Sequence, residues 1–334
     1  MNYDAVLVVS FGGPESEADV MPFLENVLRG KRVPRERMLE VAEHYYHFGG
    51  KSPINSQIRA LIAALEAELA ERGPRLPVYW GNRNWHPFLS DALRQMQRDG
   101  VRSALAFVTS AYSSYSGCRQ YLEDIARARA EVGPGSPAVE KVRVFFNHPG
   151  FIAALVERVQ EALMQFLPEI RATVPLVYTA HSVPVVAAQT SQYVQQLEET
   201  VRLVSEELGR RPDPLVYQSR SGPPGQEWLG PDILDYLRSM EPAAGTSLVI
   251  VPVGFISDHM EVLYDLDTAA GRLCRERGIH MVRAATVGTH PQFIRMIRDL
   301  IAERVEETGE RRILGTMGPG ADFCQPDCCL PPKG

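Results

Sequence analysis

The sequence predicts an α/β protein made of two doubly wound units, each a parallel sheet flanked by helices. Three observations carry that prediction. Short β-branched runs alternate with longer stretches of helical periodicity along the whole chain. Helical stretches stop at glycines, as at Gly30, Gly73, Gly100 and Gly133. The alternation starts afresh after residue 150, so one architecture occurs twice although no sequence repeat is obvious. With 334 residues the chain is long enough for two medium domains, and its 45% apolar and 23% charged residues are ordinary for a globular protein.

In the first unit, "DAVLVVSFGG" (4–13) is a strand entering a glycine turn, and "EADVMPFLENVLRG" (17–30) is a helix. "SQIRALIAALEAELAERG" (56–73) carries apolar residues at helical spacing. "LPVYWGNRNW" (76–85) is a strand with its exit loop, and "HPFLSDALRQMQRDG" (86–100) the helix after it. "RSALAFVTSAYSS" (102–114) and "GCRQYLEDIARARAEVG" (117–133) form another strand–helix pair. The long amphipathic helix "PGFIAALVERVQEALMQFL" (149–167) bridges to the second unit. There, strands at 174–182, 213–222, 245–257 and 279–288 alternate with helices at 190–209, 230–240, 260–278 and 291–307. The expected domains are 1–150 and 151–289. The last helix, about 290–308, returns to the first unit, and 309–334 is a loop-like, cysteine-bearing extension.

A net charge of −6 without a long basic run gives no electrostatic footprint for nucleic acid. The opening "MNYDAVLVVSFGG" shows neither a basic leader nor a cleavage site, and no apolar run approaches the about 20 residues a membrane span needs. The expected address is the cytoplasm, where clustered cysteines bind metal or do redox chemistry more often than they form disulfides.

Ligands of doubly wound sheets bind beyond the carboxyl ends of the strands. Four such exits are rich in polar groups: "SFGGP" (10–14), "GNRNWHPF" (81–88), "YTAHSVP" (178–184) and "PVGFISDHMEVLYDLD" (252–267). His181 follows an apolar strand directly and suits a neutral base or a metal ligand, or a capping histidine. Asp258, His259, Glu261 and Asp265 gather at a helix start. A helix N-terminus favours acids for electrostatic reasons alone, but a histidine among three acids after a buried strand points further, to a divalent cation or proton transfer. His86, Arg83 and Trp85 share another exit, and "HYYHFGGKSP" (44–53) sets aromatic residues before a glycine turn, as a flat ligand or a packed lid would use. No glycine stretch has the spacing of a nucleotide-phosphate loop.

Taken in order, "SFGGP", "GGKSPIN", "NRNWHPF", "TAHSVP", "QSRSGPPGQEWLGPD" and "VGFISDHMEVLYDLD" resemble the ferrochelatases, which insert ferrous iron into porphyrins. The match covers nearly the whole chain, and its "AHS-P" and "GF-SDH-E-LYD-D" segments are specific. The resemblance implies two flavodoxin-like domains with a cleft between them. It implies that His181 and Glu261 face each other as the catalytic, iron-handling pair, with Asp258 and His259 supporting the helix start and Asp265 one turn deeper along an ion or proton path. Porphyrin contacts fall on Tyr45, Ser52, Tyr121, His86 and His259. Phe11 stands where some members carry an iron-ligating Tyr, and Ala269 where a related branch continues an acidic row, so neither feature is expected.

The short N-terminus, "GNRNWHP" and "YSGCRQYLEDIARAR" look like soluble actinobacterial-type enzymes, which favours coproporphyrin III over protoporphyrin IX. The rival readings are a cobalt or nickel chelatase, a tetrapyrrole carrier, and an iron–sulfur redox sensor on a chelatase scaffold. Further expected partners are Fe(II) and a heme-accepting or downstream enzyme. The chain is expected to be a monomer.

Of five cysteines, Cys274 lies on a predicted helix and reads as structural. The tail "GADFCQPDCCLPPKG" holds Cys324, Cys328 and Cys329, whose spacing is not that of a zinc pair and leaves one ligand missing. Some ferrochelatases hold a [2Fe–2S] cluster with three tail cysteines and one from the first domain. The resemblance therefore implies such a cluster here, with Cys118 as fourth ligand.

Overall fold

Apolar runs buried on both faces suit the centres of parallel sheets, and β1 (Ala5–Ser10) and β5 (Leu176–His181), six residues each, stand in the middle of two separate sheets. The structure is a computed structural model that describes residues 3–30, 33–222, 225–306, 310–325 and 327–331. Of the expected segments, 223–224 in the Gly/Pro-rich loop, 307–309 at the end of the last helix, and 326 and 332–334 in the extension lie outside the described residues.

After β1 come α1 (Glu17–Leu28), α2 (Arg35–Tyr46), α3 (Ile54–Arg72), β2 (Val78–Asn82), α4 (Leu89–Arg98), β3 (Ser103–Val108), α5 (Gln120–Val132), β4 (Ala138–Lys141) and α6 (Pro149–Leu163). After β5 come α7 (Val185–Ala188), α8 (Tyr193–Glu207), β6 (Leu215–Gln218), α9 (Ile233–Ser239), β7 (Ser247–Val251), α10 (Gly271–Glu276), β8 (His280–Arg283) and α11 (Pro291–Val305). The sheets are wholly parallel and share one order, β2-β1-β3-β4 and β6-β5-β7-β8. Every parallel neighbour needs a crossover, which the helices provide on both faces.

Several elements differ from the sequence reading. The strand β4, "AVEK", has no apolar run, and α2 lacks a strong apolar stripe, so neither was expected. Two segments are π-helical: Tyr115–Arg119, at the expected strand-to-helix turn and the start of the helix expected from 117, and Val262–Ala270, within the helix expected over 260–278. The wider turn is rare and collects at functional sites. It brings Cys118 and the acidic run after His259 to their positions.

The helices α6 and α11 begin alike, "NHPGFI" (147–152) and "THPQFI" (289–294). In each, the histidine is the N-cap and proline the first helical residue; His148 Nδ1 accepts from Gly150 N at 3.1 Å and His290 Nδ1 from Gln292 N at 3.3 Å. Each helix then crosses to the other unit. The helix α6 packs on α8 and β7, α11 packs on α3, and the two pack on each other. One apolar core therefore runs through both units, joining Ile58, Leu61 and Leu65 to Phe293 and Ile297, and Leu155 and Val159 to Leu197 and Val204. Each unit also has a smaller core on its outer sheet face.

The extension 310–331 is strapped down by polar contacts. Asn147 Nδ2 donates to Gly318 O at 2.9 Å and Cys329 N to Thr190 O at 3.2 Å. Arg143, fully buried, forms a two-pronged ion pair with Glu303, both bonds 2.8 Å, and donates to Arg312 O at 3.0 Å.

Candidate active site

In each sheet the strand order reverses beside the first strand, and ligands bind at such a switch point. The strand β5 ends there with His181, between β6 and β7. The next turn presses close: a Cβ on Gly254 would lie 2.7 Å from Ala180 Cα, so only glycine lets the chain after β7 approach. Residues 258–261 then lead into the π-helix and bring Glu261 opposite His181, with Nε2 and Oε1 3.5 Å apart.

The backbone on both sides is fixed. Tyr193 Oη donates to His181 O at 2.9 Å, and Gln218 Nε2 donates to Glu261 O at 3.0 Å. His181 Nδ1 donates to Ser182 O, which can only accept. In the neutral ring the free lone pair is therefore on Nε2, facing Glu261. The side chains remain reachable, at 32% and 47% exposure, so an ion or a macrocycle can meet them.

Burial disfavours the charged imidazole of His181, but the Glu261 carboxylate beside it outweighs burial and pushes the group up to about 9. Burial likewise works against the Glu261 carboxylate, and His181 overcomes it, holding the acid down at about 2. The resting pair is ionic. Deeper in, burial and the charge of Glu261 push Asp265 up to about 6, with Ser219 Oγ donating to its carboxylate in partial compensation. Asp265 thus lies closer to neutrality than an ordinary carboxylate.

His259 Nδ1 accepts from Glu261 N at 3.2 Å and its ring meets Phe255 edge-on; burial lowers its basicity. Asp258 is committed elsewhere: Arg283 donates to it at 3.2 Å, Thr286 at 3.1 Å, and its N–H donates to Gln57 of α3 at 2.7 Å. It holds the two units together at the site.

The residues assigned to the porphyrin divide into two groups. Tyr45 comes near enough to Glu261 for burial and that charge to raise its phenol. His86 is exposed, against Trp85 and Phe88. Ser52 and Tyr121 are enclosed: Ser52 packs on Gly13, and the Arg83 guanidinium lies 3.6 Å above the Tyr121 ring. Phe11 packs on Phe23. The supporting residues Tyr193, Gln218, Ser219 and Gln57 were not singled out in the sequence. Gln218 and Ser219 lie in a quoted strand-exit loop, and that position was the available signal.

At the far end, Cys118 and Cys329 are buried, Cys328 is half-buried and Cys324 exposed. Arg119, next in the chain to Cys118, donates from Nη1 to Cys328 O at 3.0 Å, and Cys328 Sγ lies 3.5 Å from Cys329 Sγ. Among the described residues, no three His, Cys, Asp or Glu side chains surround one point closely enough to hold a metal ion as they stand. Cys274 is buried in the second unit's outer core, away from the other four cysteines.

Twin parallel sheets with an imidazole and a carboxylate opposed at the switch point define a chelatase-type α/β protein. A solved structure of this type, SirB from Bacillus subtilis with Fe3+, superposes with a TM-score of 0.59 over 94% of this chain and all of its own, at 11% identity, a likeness of fold. The chain belongs to the ferrochelatase family, whose model matches residues 3–305. It is 58% identical over 329 residues to a ferrochelatase of Rhodopirellula baltica, covering 98% of this chain and 93% of that one. It is 47% identical to the coproporphyrin III ferrochelatases of Streptomyces coelicolor (98% and 93% covered) and Nocardia farcinica (100% and 98%). Among the described residues no helix is long and apolar enough to cross a membrane.

Proposed function

We propose that this chain inserts Fe(II) into coproporphyrin III and releases the two pyrrole protons at His181 and Glu261. The carrying observation is the 3.5 Å approach of imidazole to carboxylate at the switch point, with both side chains partly exposed. Metal insertion exchanges two protons for a dication. An acid that stays ionised suits the cation, and His181, once it has given its own proton up to solvent, offers Nε2 to a pyrrole proton or to the metal. Asp265 leads protons away. Tyr45, His86 and His259 contact the macrocycle, whereas Ser52 and Tyr121 are enclosed in the first unit. Coproporphyrin III is favoured over protoporphyrin IX because the chain is 47% identical to enzymes named for it.

The test is anaerobic turnover with Fe(II) and Co(II) on both porphyrins, followed by absorbance. Fe(II) insertion into coproporphyrin III is the expected preference. Faster turnover of protoporphyrin IX overturns the substrate, and binding without any insertion supports the carrier.

We further propose that Cys118, Cys324, Cys328 and Cys329 hold a [2Fe–2S] cluster. What supports it is the donor set, three tail cysteines with Cys328 held beside the first unit by Arg119 Nη1 donating to its carbonyl at 3.0 Å, next to Cys118. When bound, the cluster supplies a one-electron couple and a crosslink from the tail to the first unit. Purified protein is expected to show visible absorbance with iron and sulfide. Cys328→Ser loses both and melts lower while Fe(II) insertion persists; colourless protein free of iron overturns the cluster.

A further inference from the structure

Arg283 closes β8, the edge strand of the second sheet, opposite Ile250 of β7. Its side chain is only 14% exposed and grips two carboxylates at once. Nε and Nη2 donate to Asp267 at 2.5 and 3.0 Å, and Nη1 and Nη2 to Asp258 at 3.2 and 3.4 Å. Asp258 precedes the π-helix Val262–Ala270, and Asp267 lies within it. One guanidinium therefore holds both ends of the segment that carries Glu261 and Asp265. Two further bonds fix the Asp258 end. Thr286 Oγ1 donates to its carboxylate at 3.1 Å, and its N–H donates at 2.7 Å to Gln57 Oε1 of α3, in the first unit.

The four acids of 258–267 divide by partner. Asp258 and Asp267 turn to Arg283. Glu261 faces His181, and Asp265 accepts from Ser219 Oγ. A π-helix is rare and usually lasts a single turn, so a run of nine residues calls for contacts from outside the helix. A planar guanidinium fork suits two carboxylates in fixed places, whereas an ammonium is a point charge on a flexible stem.

We propose that Arg283 is a positioning residue for metal insertion: by gripping Asp258 and Asp267 it keeps Glu261 opposite His181. This rests on the insertion reading above. The side-chain hydrogen bonds of Arg283 go to Asp258, Asp267 and Ala284 O, so it acts through the segment it braces and not on the reacting atoms. A displacement of about 1 Å in a reacting group can cost about 100-fold in rate.

The test compares the wild type with Arg283→Lys and Arg283→Ala by steady-state Fe(II) insertion and by amide hydrogen exchange. In both variants kcat is expected to fall about 10- to 100-fold, while KM for the porphyrin changes less than about twofold. Exchange across 258–270 is expected to quicken at least about tenfold, with β5 and β7 unchanged. Added guanidinium should restore part of the rate of Arg283→Ala, and ammonium should not. A wild-type kcat in Arg283→Lys, or equal rescue by ammonium, overturns the fork. Unchanged exchange across 258–270 overturns the brace whatever the activity. A wild type that inserts no Fe(II) overturns the proposed function instead, and exchange still decides the brace. Should Arg283→Ala fail to fold, Asp267→Asn, which releases one grip only, takes the same two measurements with the same outcomes.

Discussion

His44 of α2 stacks on Tyr264 of the second unit's π-helix, with ring centroids 3.6 Å apart and planes 13° from parallel. The pair joins the two units near the turn of helix that carries Glu261. A stacked pair contributes about 0.5–1.5 kcal/mol beyond its buried area. If a flat macrocycle must part these rings to reach His181, Tyr264→Ala should raise the porphyrin association rate a few-fold to about tenfold. Stopped-flow fluorescence quenching measures it, and an unchanged rate removes the stack from the entry route.

His181→Ala and Glu261→Gln are each expected to lower Fe(II) insertion by at least about 100-fold, the usual weight of a placed proton-transfer group. Porphyrin affinity should change little, since neither side chain supplies most of the cleft's contact area. Near-normal turnover in either variant would show that the pair is not the centre of the chemistry.

The metal-free protein should keep His181 protonated through neutrality and release that proton near pH 9. Glu261→Gln removes the largest raising charge and leaves burial opposed only by the Ser182 O hydrogen bond and Asp265, so His181 should then titrate well below 9. NMR of the histidine ring reads both. The sign for stability follows. The raised His181 stabilises the fold in full below about pH 6.5, and that contribution is lost as pH rises through about 9. The lowered Glu261 contributes above about pH 4.5, and its share disappears as pH falls toward 2.

Glu303→Gln leaves the Arg143 guanidinium, 1% exposed, without its charge partner. Breaking a buried pair from one side costs about 3–5 kcal/mol. Chemical denaturation should show that loss, together with freer proteolysis of the extension, because Arg143 also holds Arg312 O. A loss under about 1 kcal/mol would mean that water enters and solvates the arginine.

The sheets were legible because β1, β3, β5 and β7 are continuous apolar runs bounded by glycine or polar exits. His181 and Glu261 were legible because strand exits concentrate chemistry, and the family resemblance then joined two segments about eighty residues apart in the chain. The strand β4 escaped because its four residues have no pattern of their own; pairing with β3 makes it a strand. The π-helical turns escaped because periodicity does not separate them from α-helix at short length. Ser219 is a backbone effect: its φ of 63° is a conformation a serine seldom adopts, and it turns Oγ onto Asp265. The shared "HP" starts of α6 and α11 were in plain letters, but only their symmetrical places in the fold give them meaning.

The crossing of α6 and α11 also says how this chain could be taken apart. The first 147 residues alone would leave the α3 face bare, and the remainder would carry α11 on α6 with its α3-facing side uncovered. Neither fragment is a module that can be borrowed. Expressed together, they have matched sticky faces, so the natural cut for a split, reassembling version of this protein lies just before His148.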